Sequence, residues 1–273
     1  MNDKYKVCMF VVGTNRPEYL TRALTSQRNL DWSGIELTKT LCDDMPLGRD
    51  DAKMVGISEE YKFDNLYLAN ENKGIGRTWQ MAFDSIKGMD YDYIFHQEDD
   101  VVILEHVSML SMIRMFESRP DLSQLVFKRQ PWYPHETQSV PLDDDWCFEN
   151  LRGEFNLAKQ FFTPICSLYP SMAAEIDYQK WYRETYPDNP VLAGGHINEW
   201  YIGKMLWEQY KLQSMHVKGI LGQNLINHIG EYTIGKKILP HEQGYANFAG
   251  IDPTVKYWSG THVPCSEPFV PPN

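Results

Sequence analysis

The sequence lacks the features that bind nucleic acid broadly, cross-link a small fold or hold zinc. Its 26 Lys and Arg residues are outnumbered by 37 Asp and Glu, the net charge is −11, and no basic block occurs. This charge balance disfavours general affinity for phosphate backbones. Five cysteines are present without a Cys-x-x-Cys pair, so the pattern predicts neither a disulfide framework nor a zinc site.

Long apolar runs are also missing. No segment has the continuous apolar length that a bilayer span needs, and the N-terminus lacks the layout of a signal peptide. We therefore expect a soluble protein without stable membrane insertion, in a reducing cytoplasmic compartment, which would be the host cytoplasm if the source is viral. The 273 residues, 42% hydrophobic and 23% charged, suit one large domain or one domain with an added lobe.

The first part of the chain alternates strand and helix patterns. The continuous apolar run of "KVCMFVVG" predicts a buried parallel strand, and "ELTKTLCDD", "NLYLANENKGIG" and "YDYIFHQEDD" predict three more strands. A helix is predicted after the first strand, where Thr14 or Asn15 can cap and Pro17 suits the first turn. A second helix is predicted in "RTWQMAFDSI", and a turn joins the second and third strands. This order predicts an open α/β sheet.

Each of the four predicted strands ends in polar residues. These ends are Thr14 and Asn15, Asp43 and Asp44, Asn70 and Asn72, and Glu98 to Asp100. In open α/β sheets ligands bind outside the carboxyl ends of the strands. The coincidence of four polar ends therefore predicts a ligand site at that edge.

Three adjacent carboxylates, Glu98, Asp99 and Asp100, follow the fourth strand. Like charges side by side repel, and partial burial strengthens the repulsion. Either the acids lie on an exposed turn, or they share a cation. Mg²⁺ and Mn²⁺ prefer oxygen ligands of this kind. The residues alone leave both interpretations open.

The stretches "VVGTNRPEYLTRAL", "LCDDMP", "NENKGIGRTWQMAF" and "FHQEDDVVI", in this order, resemble the nucleotide-binding half of GT-A glycosyltransferases over Lys6 to Leu104. The resemblance implies a mainly parallel, mixed GT-A sheet flanked by helices, followed by a loop-rich acceptor-binding half. It also implies nucleotide-sugar contacts. These fall on Thr14, Asn15, Arg16, Asp43, Asp44, Asn72, Gly74 and Arg77. Arg16 and Arg77 are charge partners for a diphosphate or for the strand-end acids.

The acid triplet is similar to the "EDD" version of the DXD motif in N-acetylglucosaminyltransferases of this fold. That similarity implies a site for Mn²⁺ or Mg²⁺ with Asp100 as a ligand, while Glu98 and Asp99 meet the ribose and sugar. Because the three acids are contiguous, which of them ligates the metal stays open. A late histidine completes such sites, and His228 is the first candidate, with His196 second.

Glu199 follows the Gly-Gly turn of "AGGHINEWYIG". In inverting GT-A enzymes a carboxylate in this place is the general base that deprotonates the acceptor hydroxyl. An acidic residue in a first helical turn also has a plain structural explanation. Trp132, Tyr133 and Trp146 are candidates for stacking on an acceptor sugar, or else core residues.

The resemblance implies a metal-dependent inverting hexosyltransferase that moves one sugar from a nucleotide-diphosphate sugar, with UDP-sugars favoured. The acceptor is open between a glycan, a lipid-linked sugar, a protein and a modified viral DNA base. The alternatives are a nucleotidyltransferase, for which "VVGTNRPEYL" lacks the expected glycine- and lysine-rich loop, and a non-catalytic nucleotide-sugar-binding protein. We expect a donor-binding half in 1–104, an acceptor-binding half in 105–260 and an extended tail in 261–273. Nothing indicates the oligomeric state.

Overall fold

The computed structural model describes residues 5–14, 16–43, 50–70, 75–128, 140–141, 166–172, 205–206, 208–219 and 224–229. Its strands are β1 (Tyr5–Gly13), β2 (Leu30–Asp31), β3 (Ile35–Asp43), β4 (Asn65–Leu68), β5 (Tyr93–Glu98), β6 (Val101–Ile103), β7 (Val107–Ser108), β8 (Leu122–Phe127), β9 (Val140–Pro141), β10 (Cys166–Pro170), β11 (Gln213–Lys218) and β12 (Ile226–His228). Its helices are α1 (Pro17–Ser26), α2 (Asp51–Glu60), α3 (Ile75–Ile86) and α4 (Met109–Ser118), and a 3₁₀ turn spans Gln27–Asn29.

Eight strands form one sheet in the order β4-β3-β1-β5-β10-β8-β11-β9. All the pairings are parallel except those of β10, which runs antiparallel to both β5 and β8. The predicted α/β class with a mainly parallel, mixed sheet is therefore confirmed. The four predicted strands correspond to β1, β3, β4 and β5.

The central strands of the sheet are buried on both faces, which explains the continuous apolar run of β1. Side chains alternate along β1, so Met9 and Val11 pack on the face that α1 and α4 cover, whereas Phe10 packs on the other face against α3. The predicted helix after the first strand is α1, and it packs on the sheet through Leu20, Ala23 and Leu24, which are buried. Cys8 and Cys42 are buried free thiols that act as small core residues.

Two local predictions are wrong. The connection between the second and third predicted strands is not a turn but contains α2, which begins after Asp50, whose carboxylate accepts the Lys53 backbone N–H at 3.1 Å. Its apolar signal is weak because Met54 and Ile57 are the only apolar side chains that it buries. The residue that caps α1 is Arg16, without a side-chain cap bond, and not Thr14 or Asn15. The Arg16 side chain turns towards the strand-end acids instead.

A second, two-stranded sheet brings a late segment to the end of β5. β6 follows the acids directly, and β12 pairs antiparallel with it, so that His228 lies opposite Val101. The Leu104 N–H donates to the Leu225 carbonyl at 2.8 Å and extends this contact. Across the described ranges, every helix is too short or too polar for a membrane span.

Candidate functional site

The polar ends of β1, β3 and β5 meet at one edge of the sheet. The register places Gly13 beside Asp43 and Val12 beside Glu98. Gly13 leaves room for the acids, because a Cβ at this position would lie 3.0 Å from Asp43 Oδ2 and 3.5 Å from the Asp99 Cβ. Asp43 and Asp99 are both buried. A side chain at position 13 would therefore push these carboxylates apart.

Glu98, the last residue of β5, and the turn residues Asp99 and Asp100 lead into β6 and are called the acid turn hereafter. The Asp99 N–H donates to the Val12 carbonyl at 3.0 Å, and the Ile229 N–H donates to the Asp100 carbonyl at 2.8 Å. The turn is thus tied to β1 on one side and to the residue after β12 on the other. Its backbone is therefore held by partners from two distant parts of the chain.

Gln97 holds the acid turn from within the core. Its Nε2 donates to the Val101 carbonyl at 2.8 Å, across the turn, and to the Ala23 carbonyl of α1 at 3.3 Å. Its Oε1 accepts from Gln27 Nε2 at 2.9 Å. The Gln97 side chain is completely buried, and a buried amide with satisfied partners fixes local geometry strongly. This residue therefore couples the turn to α1.

One flank of the acid turn carries a group that fits a metal ion. Ligand atoms of Glu98, Asp100 and His228 lie within 4.8 Å of one another. His228 Nε2 is 3.3 Å from Asp100 Oδ1 and 3.9 Å from Glu98 Oε2. Two carboxylates and an imidazole suit a divalent cation that takes its remaining ligands from water and phosphate. This is the one such group of three found among the described residues.

The other flank carries an arginine. Arg16 Nε donates to Asp99 Oδ2 at 3.1 Å, its Nη2 pairs with Asp99 Oδ1, and its Nη1 lies 2.7 Å from Asp100 Oδ2. Its side chain is only 11% exposed, so this is not a surface ion pair. Of the two partners that the sequence offered for Arg16, a diphosphate or the acids, the structure shows the acids.

These neighbours also separate the ionisation of the two aspartates. Burial alone would raise the pKa of Asp100, but His228 and Arg16 outweigh it and hold that pKa well below its ordinary value. Burial raises the pKa of Asp99; Arg16 opposes this shift, and the charge on Asp100 adds to it. Two carboxyls that share one guanidinium thus become charged in order, Asp100 first.

The structure brings together five of the predicted site residues, namely Arg16, Glu98, Asp99, Asp100 and His228, with Thr14 and Asp43 beside them. Glu98, predicted on the sugar, lies with the metal-ligand candidates Asp100 and His228. Arg77 lies in the first turn of α3. The remaining predicted positions lie outside the described residues. They are Asn15, Asp44, Asn72, Gly74 and Glu199, together with the alternatives Trp132, Tyr133, Trp146 and His196.

Sequence reasoning missed Gln97. The signal was available, because an uncharged polar side chain inside the run "YIFHQ" must find buried partners. The partners themselves, Gln27 and two backbone carbonyls, are not visible in a local pattern. Gln27 and the Ala23 carbonyl become neighbours of Gln97 only when α1 packs on the sheet, whereas the Val101 carbonyl is reached across the turn.

Comparison with solved structures finds several chains with partial similarity. A mannosyltransferase from Pyrobaculum calidifontis, solved with GDP-Man and Mn²⁺, has a TM-score of 0.52 and 8% identity over 84% of this chain and 59% of its own length. S. aureus TarS has a TM-score of 0.41 and 14% identity, and the match covers 62% of this chain and 29% of TarS. The TarS fragment 1–349, solved with UDP-GlcNAc, has a TM-score of 0.44 and 14% identity, and the match covers 62% of this chain and 46% of the fragment.

The match to the mannosyltransferase supports the predicted GT-A-like fold, and at this identity it shows the fold alone. The chain spans between 29% and 59% of the length of these three structures. Comparison with protein-family models finds no match, and neither does comparison with curated protein sequences.

Proposed function

We propose that this protein is a metal-dependent glycosyltransferase that moves a single sugar from a nucleotide-diphosphate sugar to an acceptor hydroxyl. The observation that carries the proposal is the group formed by Glu98, Asp100 and His228 at the carboxyl edge of a mainly parallel sheet. Ligands of open α/β sheets bind at this edge. The likeness in fold to a mannosyltransferase solved with GDP-Man and Mn²⁺ supports the same reading.

Asp100 and His228 would hold the cation, as the sequence predicts, and Glu98 joins them on the strength of its position. Mn²⁺ fits this set better than Mg²⁺, since transition metals accept imidazole more readily. When bound, such an ion neutralises the charge that develops on the leaving diphosphate. The donor would lie along the ends of β1, β3 and β5, near Thr14 and Asp43, with Asn15, Asp44, Asn72, Gly74 and Arg77 as further proposed contacts.

Inversion of the anomeric carbon, with Glu199 as general base, is the proposed stereochemical course. A direct displacement needs the acceptor hydroxyl to lose its proton as it attacks, and a carboxylate within hydrogen-bond reach can accept it. A UDP-sugar is the proposed donor, and the division into a donor half and an acceptor half near Leu104 belongs to the same proposal.

The test is release of nucleoside diphosphate from UDP-glucose, UDP-N-acetylglucosamine and GDP-mannose, with and without Mn²⁺. Slow donor hydrolysis, which needs no acceptor, is the expected signal, and it should require the metal. Binding of a nucleotide sugar without turnover, under all conditions and with a panel of acceptors, would favour the non-catalytic alternative. Release from GDP-mannose alone would contradict the preference for UDP.

The base assignment is tested by Glu199→Gln. We expect unchanged donor affinity with loss of sugar transfer, because the substitution removes the proton acceptor and keeps the size of the side chain. Glu208→Gln, at an exposed glutamate nearby in sequence, is the matched control. Normal transfer by Glu199→Gln would remove Glu199 from the mechanism.

A further inference from the structure

The Arg16 guanidinium is committed to the acid turn through all three of its nitrogens. Two of them, Nε and Nη2, take both oxygens of Asp99, and Nη1 takes Asp100 Oδ2. An arginine fork on a carboxylate fixes direction as well as charge. Arg16 is thus a rigid internal cation and has a defined orientation towards each aspartate.

The Asp99 carboxylate is held by hydrogen bonds from Arg16 and Thr14. Besides Arg16, its Oδ2 accepts the Thr14 backbone N–H at 3.2 Å, and only 2% of its side chain is exposed. Both of its oxygens therefore have protein partners on the side of the acid turn that faces Arg16 and α1, hereafter the α1 flank. Asp99 anchors the arginine and offers no oxygen to the flank where His228 lies.

Asp100 is divided between the two flanks. Its Oδ2 faces Arg16 Nη1 at 2.7 Å, and its Oδ1 faces His228 Nε2 at 3.3 Å. A cation among Glu98, Asp100 and His228 would meet one oxygen of Asp100, because the other is hydrogen-bonded to the guanidinium. A turn of the carboxylate that offers both oxygens to an ion would bend that short bond to Nη1 out of line and weaken it.

We propose that Arg16 is a positioning residue that sets the choice of divalent cation, because it restricts Asp100 to a single ligand oxygen. Ca²⁺ takes six to eight oxygens and often binds a carboxylate through both of them. Mg²⁺ and Mn²⁺ bind in octahedra, in which single-oxygen carboxylates fit. The site is therefore built to favour the smaller ions over Ca²⁺. This inference rests on the proposed function, since it concerns the same metal site.

The competing explanation is that Arg16 acts only as a positive charge among buried acids. A charge-only role would change the affinity for every divalent cation by a similar factor. A positioning role would change the ratio of affinities. The quantity to measure is therefore the Ca²⁺ dissociation constant divided by the Mn²⁺ dissociation constant, obtained by titration calorimetry on the full chain.

The decisive variant is Arg16→Met combined with Asp99→Asn. It removes one positive and one negative charge, so the net charge around Asp100 is conserved while both oxygens of Asp100 become available. We expect the ratio to fall by about tenfold or more, through tighter Ca²⁺ binding. Arg16→Lys keeps the charge but loses the fork, and it should lower the ratio by a smaller factor.

The matched control is Arg119→Met combined with Asp121→Asn. These residues form another fork-on-carboxylate pair, at 2.7 and 2.6 Å, just before β8. This change should leave the ratio as in the wild type. Circular dichroism checks that each variant is folded, and Arg16→Lys decides the question alone if the double variant does not fold.

An unchanged ratio in the Arg16 variants, with Mn²⁺ binding retained, overturns the inference and leaves the proposed function standing. Equal changes in the affinity for both ions also overturn it, in favour of the charge-only role. Absence of Mn²⁺ binding in the wild type, or binding that survives Asp100→Asn, overturns the metal-dependent part of the proposed function and the inference together.

Discussion

The two flanks of the acid turn place the same functional group in different surroundings. On the α1 flank, Asp99 is enclosed by Arg16 and the Thr14 N–H; on the β12 flank, Glu98 and Asp100 face His228 across distances that an ion can bridge. Adjacent carboxylates thus become tolerable by two different means. Asp99 is neutralised by a cation that belongs to the chain, Glu98 lies where a cation from solution fits, and Asp100 turns one oxygen to each side.

Asp99→Asn should have the largest effect, and the effect should be on stability. Arg16 keeps Asp100 as a counter-charge, but it loses the ionised acceptor of two of its hydrogen bonds, and a buried charged donor left unsatisfied typically costs about 3 kcal/mol. Urea unfolding measures this loss, while the Mn²⁺ affinity should change less than about tenfold, because the β12 flank is preserved. Asp121→Asn, in a more exposed pair with Arg119, should cost below about 1 kcal/mol. Loss of Mn²⁺ binding at unchanged stability would place Asp99 on the cation side and break the comparison.

Asp100→Asn should mainly abolish metal binding. A direct ligand is expected to contribute at least as much as residues behind a ligand, whose loss costs about 10–100-fold in affinity, so we expect a loss of about 100-fold or more. The Mn²⁺ dissociation constant, followed by electron paramagnetic resonance, is the measurement. Asp90→Asn, at a side chain that is 87% exposed, should bind Mn²⁺ as the wild type does. Equal affinities in the two variants would contradict the assignment.

Gln97→Leu tests both flanks at once, because the Gln97 side chain bonds to α1 and spans the acid turn. The substitution leaves the Ala23 and Val101 carbonyls without their amide donor, at a cost of about 1–3 kcal/mol in the free energy of unfolding. It should also weaken Mn²⁺ binding, by a few-fold, because the turn that carries the acids loosens.

Gln124→Leu is the control for that variant. Gln124 is equally buried, and it bonds Ser167 and Ser214 in the other half of the sheet. It should lose similar stability and keep the Mn²⁺ affinity. If the two glutamine variants weaken Mn²⁺ binding equally, Gln97 has no special relation to the turn.

His228→Gln should lower the Mn²⁺ affinity by about tenfold. The loss should be smaller for Mg²⁺, which has less preference for imidazole. Calorimetric titration with both ions measures the difference. His106→Gln, at an exposed histidine in the β6–β7 connection, should change neither affinity. A loss that is equal for both ions would argue against direct ligation by His228.

Much of the parallel half of the sheet was predictable, because a strand buried on both faces needs a continuous apolar run, and β1 at its centre has one. The polar ends of β1, β3 and β5 met at one edge because parallel strands share a direction. The position of β10 between β5 and β8 was not predictable, since a pairing between distant segments leaves no local period. α2 was missed because its few apolar contacts give no clear helical stripe.

The residues of the candidate site were easier to predict from the sequence than their arrangement in space. The acids, Arg16 and His228 were all identified as candidates from the sequence. Whether an aspartate faces Arg16 or the candidate metal site depends on the direction of its side chain within the turn. Neighbouring residues of the turn point in different directions, which a local sequence pattern does not show. The role of His228 as a ligand stays a prediction, although the β6–β12 pairing brings it to the acid turn.

The pairing of β12 with β6 has a consequence for the order in which the chain becomes stable. β12 has only three residues, and it returns from the far end of the described chain to reach the acid turn. Such distant contacts form late, after the entropy of closing a long loop has been overcome. A cation held by Glu98, Asp100 and His228 would cross-link these segments, and its binding free energy would add to folding stability, by about 2.7 kcal/mol at a hundred times the dissociation constant. Metal binding would then stabilise the late segment as well as complete the site. In a cell with too little of the ion, the protein would be both inactive and less ordered at this site.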